Sequence, residues 1–210
     1  MTVPRVQREA TNVWLRRLRG QHAIPRSQEF KASTILEYAS RFGTKTLVET
    51  GTYLGETIDR SIGHFEHIWS VELDNRLYEA AVRRFRPWPH ITIVHGDSAQ
   101  VLPSILNEAP GPILFWLDGH FSGGLTARGD LDTAVSGELS AILGRAGPGD
   151  VILIDDARDF GKGDYPSIRL VRDAILAKRP DWHFEVRDDI MRAHRPVAAG
   201  GRPIQSVAAQ

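Results

Sequence analysis

The sequence predicts a doubly wound α/β fold, with a mostly parallel seven-stranded sheet, an antiparallel last strand and helices on both faces. Apolar runs of strand length alternate with longer stretches of helical periodicity, and parallel strands need a crossover connection that is usually a helix. The 210 residues, 41% of them hydrophobic, suffice for one such domain with a full core and hardly for two. We therefore expect a single domain.

The predicted elements follow one another in a regular order. Five apolar runs predict parallel strands, at residues 46–50, 68–73, 91–95, 113–118 and 151–155. Stretches of helical periodicity lie between and after them, at residues 75–85, 98–109, 134–145 and 168–178. The last two strands are expected in "WHFEVRDD" and "IMRAHR", and the short link at Asp188 and Asp189 forces these strands to pair antiparallel.

Charge divides the chain, although its net charge is zero. Residues 1–45 carry nine basic and three acidic groups, whereas residues 46–159 carry eight basic and seventeen acidic groups. We predict an N-terminal helical cap segment at 1–44, a main domain at 45–195 and a flexible tail at 196–210. The basic segment is interpreted as a solvated helix face or an arm for an anionic partner. Whether it covers a site or forms a homodimer with a second chain stays open.

Composition excludes several classes of protein. The chain has no cysteine, which rules out disulfides and thiolate metal sites. No apolar stretch reaches the roughly 18 residues of a membrane span, and the N-terminus lacks the pattern of a secretory signal. We expect a soluble cytoplasmic protein that needs neither a membrane nor nucleic acid.

A glycine turn follows the first predicted strand, in "ETGTYLG" at residues 49–55. In an open α/β sheet, ligands bind beyond the carboxyl ends of the strands. Gly51 suits a tight turn that a ligand approaches closely, and Gly55 lets the next helix begin close to the strand. The stretch lacks the glycine triplet of a dinucleotide fingerprint, and an acid at Glu49 repels a pyrophosphate but attracts an ammonium or a ribose hydroxyl.

With this motif, the chain resembles the class I S-adenosylmethionine-dependent methyltransferases, whose first motif is an acid followed by x-G-x-x-x-G. The resemblance covers about residues 45–195 and implies a Rossmann-like methyltransferase fold with S-adenosylmethionine as the methyl donor. Glu72 matches the acid that binds both ribose hydroxyls, and Asp97 matches the residue beside the adenine. The predicted cofactor-binding residues are Glu49, Gly51, Tyr53, Gly55, Glu72, Asp97, Ser98 and Asp118.

Three aspartates are expected to converge where the fourth and fifth strands end: Asp118, Asp155 and Asp156. Close carboxylates repel one another unless they share a cation, and oxygen ligands suit magnesium. Their spacing resembles the ligands of metal-dependent O-methyltransferases of the macrocin, cephalosporin-hydroxylase-like and catechol types, which implies magnesium and a small-molecule hydroxyl acceptor such as a sugar, polyketide or phenol. In the alternative interpretation, Asp118 hydrogen-bonds the sulfonium end of the donor while the other two cap a loop.

Proton removal from the acceptor also needs a base. Catechol-type enzymes have a lysine shortly after the first metal ligand, whereas this chain offers His120, so Asp118 and His120 are the predicted catalytic residues. His120 is also interpretable as an ordinary loop histidine. Residues 120–133 form a long glycine-rich connection, interpreted as a substrate lid with Arg128 and Asp132 as polar contacts, or as a surface insertion.

Two other classes of function remain open. One is a catalytically silent cofactor-binding or interaction module, which has no need of the three aspartates and His120. The other is a nicotinamide-dependent oxidoreductase, which the missing third glycine and the absence of a Tyr-x-x-x-Lys pair disfavour. The residues after the fourth strand lack a Pro-Pro-aromatic motif, which argues against methylation of nucleic-acid amines.

Overall fold

A computed structural model provides the fold, and it describes residues 26–118, 134–145, 147, 149–163 and 165–196. All seven predicted strands are present in these ranges. They are β1 (Thr46–Thr50), β2 (His67–Glu72), β3 (Ile91–His95), β4 (Ile113–Leu117), β5 (Val151–Ile154), β6 (His183–Arg187) and β7 (Ile190–His194).

Six α-helices are described, and four of them begin at the predicted residue. The helices are α1 (Gln28–Phe42), α2 (Glu56–Ser61), α3 (Asn75–Phe85), α4 (Ser98–Glu108), α5 (Ala134–Arg145) and α6 (Ile168–Lys178). A 3₁₀ turn, Ala157–Asp159, follows β5. The sequence analysis did not predict α2, a short helix of 6 residues, and gave no bounds to α1 within its N-terminal segment.

The sheet has the order β3-β2-β1-β4-β5-β7-β6. The first five strands are parallel, and β7 pairs antiparallel with both β5 and β6, which confirms the predicted fold class. The β6–β7 link consists of Asp188 and Asp189, both with positive φ (54° and 65°), as the two central residues of a tight hairpin turn often have.

Both faces of the sheet are covered, because alternate residues of the central strands point to opposite sides. One core lies under α1, α2 and α3 and includes Ile35, Ile58, Phe85, Leu114 and Leu153. The other lies under α4, α5 and α6 and includes Leu102, Ile142, Phe115, Ile152 and Ile175. Trp116 is also in the first core and is 2% exposed.

Helix α1 runs opposite to the parallel strands. Its first turn reaches the carboxyl ends of the strands, where Lys31 forms an ion pair with Asp155. Its last turn lies at the other edge, where the ring centroid of Phe42 is 4.6 Å from that of His194, the residue paired with Val151 at the start of β5. The first turn of α1 therefore belongs to the edge at which ligands bind in such sheets.

No helix in the described ranges is long and apolar enough to span a bilayer.

Candidate active site

The candidate site lies along the carboxyl edge of the parallel strands. Strands β1, β2 and β3 extend to one side of the sheet, and β4 and β5 extend to the other, so the topological switch point falls between β1 and β4. Ligands of open α/β sheets bind in the crevice at this point. The predicted site residues follow the ends of all five strands.

The turn after β1 is held against its two neighbouring strands. The N–H groups of Gly51 and Thr52 both donate to the carbonyl of Val71, at 2.9 and 3.0 Å. Gly51 has a φ of +94°, and a Cβ there would lie 3.3 Å from the Cβ of Asp118. A side chain at this position is therefore disfavoured by both conformation and space. The structure thus has the tight turn that was predicted at Gly51, and the contact of Gly51 with the cofactor stays a prediction.

Gly55 caps the start of α2 with a φ of +74°. A Cβ at this position would come within 2.6 Å of the ring of Phe85. From the sequence, Gly55 was expected to let the helix begin close to the strand. In the structure, Gly55 instead lies close to a side chain of α3. Gly55 is thus required by helix packing, and its assigned contact with the cofactor stays a prediction.

Glu72 presents a carboxylate that backbone groups orient. Its Oε2 accepts the N–H of Tyr53 at 2.7 Å, and its Oε1 accepts the N–H of Asp74 at 2.9 Å. A carboxylate offers about four acceptor sites, so each oxygen keeps acceptor capacity for a ligand hydroxyl. The residue is 6% exposed, whereas the Tyr53 side chain beside it is 65% exposed. The arrangement fits a diol such as that of ribose.

Glu49 is buried beneath the turn, with 1% exposure. Its Oε2 accepts the hydroxyl of Ser70 at 2.6 Å, and that hydroxyl oxygen lies 2.7 Å from Oγ1 of Thr52. Burial raises the pKa of Glu49 to about 8, although hydrogen bonds from Ser70 and Thr57 oppose the shift. Glu49 is therefore mostly protonated at neutral pH and ties β1 to β2. Its predicted contact with the donor remains a prediction.

Asp97 and Ser98 begin helix α4. The carboxylate of Asp97 accepts the N–H of Ala99 at 2.9 Å and so caps the helix. The hydroxyl of Ser98 donates to Glu138 on α5. The predicted residues after β3 are thus at the carboxyl edge, with Ser98 bound to an acid that the sequence analysis missed.

Glu138 is a buried acid on helix α5, 4% exposed. Burial raises its pKa to about 7, the hydrogen bond from Ser98 opposes the shift, and the charges of Asp97 and Asp118 add to it. Its sequence position carried a signal: it lies three residues after Val135 and four before Ile142, on the buried face of the helix. An acid on an apolar helix face is uncommon and worth testing for a role.

The three aspartates do come together. Asp118, Asp155 and Asp156 each place a carboxylate oxygen within 4.8 Å of the others. An octahedral Mg²⁺ with oxygen ligands at about 2.1 Å holds neighbouring and opposite ligands about 3 to 4.2 Å apart, so a small side-chain adjustment would let all three share one ion. The donor set therefore fits a hard divalent cation. We name these residues the acidic trio.

Two cationic side chains contact the acidic trio within the described part of the chain. Lys31 of α1 forms an ion pair with Oδ2 of Asp155, and its Nζ lies 3.9 Å from Oδ1 of Asp156. Arg158 contacts Asp156 and also Asp189 in the β6–β7 turn. The sequence analysis missed both cations, and the spacing of Lys31 in the basic segment gave no signal for this contact.

Burial and mutual repulsion shape the titration of this cluster. Burial, assisted by the charge of Asp156, raises the pKa of Asp155 to about 6, while Lys31 opposes the shift. Burial disfavours the ammonium form of Lys31, but attraction to Asp155, Asp156 and Asp118 outweighs it and raises the lysine pKa. The ammonium of Lys31 thus supplies part of the positive charge that the sequence argument assigned to a metal.

The backbone holds Asp156 in an uncommon conformation. Its φ of 53° and ψ of 42° are left-handed, which non-glycine residues seldom adopt outside turns and functional sites. Asp189 in the β6–β7 hairpin holds the two residues that follow Asp156. The N–H of Ala157 donates to the carbonyl of Asp189, and the N–H of Arg158 donates to the Asp189 carboxylate, both at 2.8 Å. The hairpin that closes the sheet therefore positions the third acid.

Three predicted residues lie outside the described residues. They are His120, Arg128 and Asp132, all within the predicted lid. Their assignment as base and substrate contacts stays a prediction.

The solved structures with a similar fold include several methyltransferases. A putative caffeoyl-CoA O-methyltransferase from Staphylococcus aureus aligns over 91% of this chain and 91% of that chain, with 12% identity and a TM-score of 0.56. The O-methyltransferase TomG from Streptomyces achromogenes, solved in complex with SAM, aligns over 80% of each chain with 16% identity and a TM-score of 0.54. The N-methyltransferase NodS from Bradyrhizobium japonicum aligns over 80% of this chain and 96% of that chain, with 13% identity and a TM-score of 0.55.

No protein-family model matches the sequence, and no curated protein matches it. At identities of 12–16%, the structural likeness establishes the fold. The chain has the fold of the class I S-adenosylmethionine-dependent methyltransferases, and the resemblance drawn from its motifs is confirmed at that level.

Proposed function

We propose that this protein transfers the methyl group of S-adenosylmethionine to a hydroxyl of a small molecule, with a divalent metal at the acidic trio. The observation that carries the proposal is the division of the carboxyl edge into two acidic regions. One is the Glu72 carboxylate over β2, and the other is the acidic trio at the ends of β4 and β5.

The region over β1 to β3 supports a nucleoside ligand. Glu72 is oriented by two backbone N–H groups and keeps acceptor capacity for a ribose diol. Gly51 lacks a side chain where the turn meets Asp118, so the turn lies directly against this member of the acidic trio. That TomG was solved with SAM on this fold is consistent with the same donor here.

The choice of oxygen as acceptor rests on the acidic trio, because the fold alone does not select it. NodS is an N-methyltransferase and TomG an O-methyltransferase, yet both resemble this chain to a similar degree. A bound divalent ion lowers the pKa of a hydroxyl and orients it, which favours an alcohol or phenol as acceptor. Asp118 would hold this ion beside the turn at Gly51, where the donor is proposed to bind.

The reaction follows from this arrangement. Bound S-adenosylmethionine would supply an electrophilic methyl group, whose transfer to the acceptor oxygen would form a C–O bond, break the C–S bond and release S-adenosylhomocysteine. Glu72 and the turn at Gly51 would hold the donor and so orient it towards the acceptor. The hydroxyl proton passes to a base, for which His120 is our candidate because its ordinary pKa lies near neutrality.

Calorimetry and product analysis together test the proposal. We expect the protein to bind S-adenosylmethionine and S-adenosylhomocysteine but not NAD, and to methylate members of a panel of sugars, phenols and polyketides only when Mg²⁺ is present. Asp118→Asn should abolish most transfer. Asp173→Asn is the matched control, because Asp173 is an exposed aspartate on α6 that pairs with Arg172.

Each alternative function predicts a different result. Binding of NAD without S-adenosylmethionine would overturn the proposal in favour of an oxidoreductase. Tight donor binding with no transfer to any acceptor class would favour a silent binding module. Full methyl transfer in excess chelator would contradict the proposed need for a metal but would leave the methyltransferase proposal intact.

A further inference from the structure

Lys31 is placed to occupy the acidic trio. It lies in the first turn of α1, which Ser27 caps, and its side chain is only 13% exposed. Its ammonium contacts Oδ2 of Asp155 and lies 3.9 Å from Oδ1 of Asp156. Two of the three proposed metal ligands thus face this lysine.

Arg158, the other cation, is committed to a different task. Its guanidinium joins Asp156 to Asp189, and its own N–H donates to the same Asp189 carboxylate at 2.8 Å. Arg158 therefore connects the loop after β5 to the β6–β7 hairpin, and its planar group is fixed by several partners. Removing it would disturb the fold of the loop.

The ammonium of Lys31, by contrast, is held by its contact with Asp155 and by the charge of Asp156. A lysine ammonium is a compact charge on a flexible four-carbon stem, so it can withdraw without a change in the backbone. A divalent ion bound to Asp155 and Asp156 would lie against this ammonium, and like charges at such a distance repel strongly in a partly buried site. The two cations are therefore mutually exclusive at these oxygens.

We infer that Lys31 is a built-in counter-ion that competes with the divalent metal for Asp155 and Asp156, so that metal binding requires its side chain to withdraw. The inference rests on the proposed function only in taking the acidic trio as the metal site. It gives α1 a control over metal occupancy, because the position of its first turn sets how readily Lys31 reaches the acids.

Metal titration without donor or acceptor tests the competition. Mn²⁺ binding, followed by electron paramagnetic resonance, should be at least about tenfold tighter in Lys31→Met than in the unmodified chain. Lys31→Arg keeps the positive charge and should bind no tighter than the unmodified chain. Asp155→Asn should weaken binding in the Lys31→Met background, which locates the ion at the acidic trio.

Lys45→Met is the matched control. Lys45 pairs with Glu66 on the surface, and their side chains are 59% and 62% exposed. Its loss should leave Mn²⁺ affinity within about twofold, because exposed pairs are well screened. Unchanged or weaker Mn²⁺ affinity in Lys31→Met would overturn the inference, as would absence of binding in both chains.

Thermal unfolding provides a second measurement. In chelator, Lys31→Met should melt at a lower temperature than the unmodified chain, because Asp155 loses its partner in a buried site. Mg²⁺ should raise the melting temperature of Lys31→Met by more than it raises that of the unmodified chain. Lys31→Gln, which keeps a polar chain, repeats the comparison if the methionine variant folds poorly. An equal Mg²⁺ effect in all these chains would contradict competition.

The outcomes separate this inference from the proposed function. The protein could bind S-adenosylhomocysteine and need Mg²⁺ for transfer, yet have the same Mn²⁺ affinity with and without Lys31. This result would overturn the inference about Lys31 and leave the proposed function intact. A chain that shows the Lys31 effect but binds no S-adenosylhomocysteine supports the inference and overturns the methyltransferase proposal.

Discussion

The two acidic regions of the carboxyl edge are held in different ways. Over β1 and β2, backbone N–H groups hold Glu72, and the hydroxyl of Ser70 satisfies Glu49. At the ends of β4 and β5, cationic side chains neutralise the acids: Lys31 of α1 faces Asp155, and Arg158 of the turn after β5 faces Asp156.

This difference indicates what each region is prepared to bind. Two backbone N–H groups orient Glu72 before a ligand arrives, which suits recognition of a neutral diol. A side-chain cation such as Lys31 is exchangeable, so the acidic trio suits another cation. We therefore expect Glu72 to keep its orientation when a ligand binds, and we expect Lys31 and a metal ion to compete for the acidic trio.

Asp155→Asn should produce the largest effect on methyl transfer. It should impair the acidic trio and leave the region around Glu72 unaffected. We expect transfer to fall about 100-fold or more, because the substitution removes a ligand of the proposed ion that activates the acceptor. The affinity for S-adenosylhomocysteine should stay within about twofold, because the proposed adenosine contacts lie over the first three strands. Rates at saturating donor and calorimetry measure the two quantities. Asp173→Asn, at the exposed aspartate of α6 that pairs with Arg172, is the control.

A parallel loss of transfer and donor affinity in Asp155→Asn would contradict the division of the edge into two regions.

Glu72→Ala should break the first region. We expect donor and product binding to weaken by about 1.5 to 3 kcal/mol, the scale of hydrogen bonds to a charged group. Calorimetry with S-adenosylhomocysteine measures the change. Glu79→Ala on α3 is the control, because Glu79 is exposed and pairs with Arg83. An unchanged affinity of Glu72→Ala for S-adenosylhomocysteine would contradict the assignment of Glu72 to the ribose. A loss of Mn²⁺ affinity in the same variant would show that the two regions do not bind their ligands independently.

Glu49→Gln tests how the buried acid of the first region is held. We expect this substitution to change how the free energy of unfolding depends on pH. The pKa of Glu49 is about 8 in the folded chain against an ordinary 4.5, so the folded state holds a proton that the unfolded state releases between these values. The free energy of unfolding therefore falls as pH rises from about 4.5 to 8, by up to about 1.4 kcal/mol per pH unit from this group. Glutamine cannot titrate, so the variant loses this slope.

Urea unfolding at pH 5 and pH 8 measures the effect as the difference between the unmodified and variant chains. Glu37→Gln, at an exposed position on α1, should leave the pH dependence parallel to that of the unmodified chain. Parallel curves for Glu49→Gln would show that Glu49 is ionised in the folded protein.

The sequence determined the order of the elements and the places of the acids. Buried parallel strands are continuous apolar runs, and the acids follow them directly because the strand ends where the chain leaves the core. Glu72, Asp118 and Asp155 were located at the carboxyl edge from the predicted strand ends, and the structure places them there. The hairpin at Asp188 and Asp189 followed from the shortness of its link.

Tertiary structure alone decided which partners those acids have. Lys31 meets Asp155 because α1 packs against the sheet with its first turn at the carboxyl edge, and Arg158 meets Asp189 because β7 returns beside β5. Glu138 is buried because α5 lies against α4, next to Ser98. Local periodicity fixes how each segment folds, since neighbouring residues share one backbone geometry. It carries no information on which distant side chain reaches an acid, because that contact depends on how whole helices pack on the sheet.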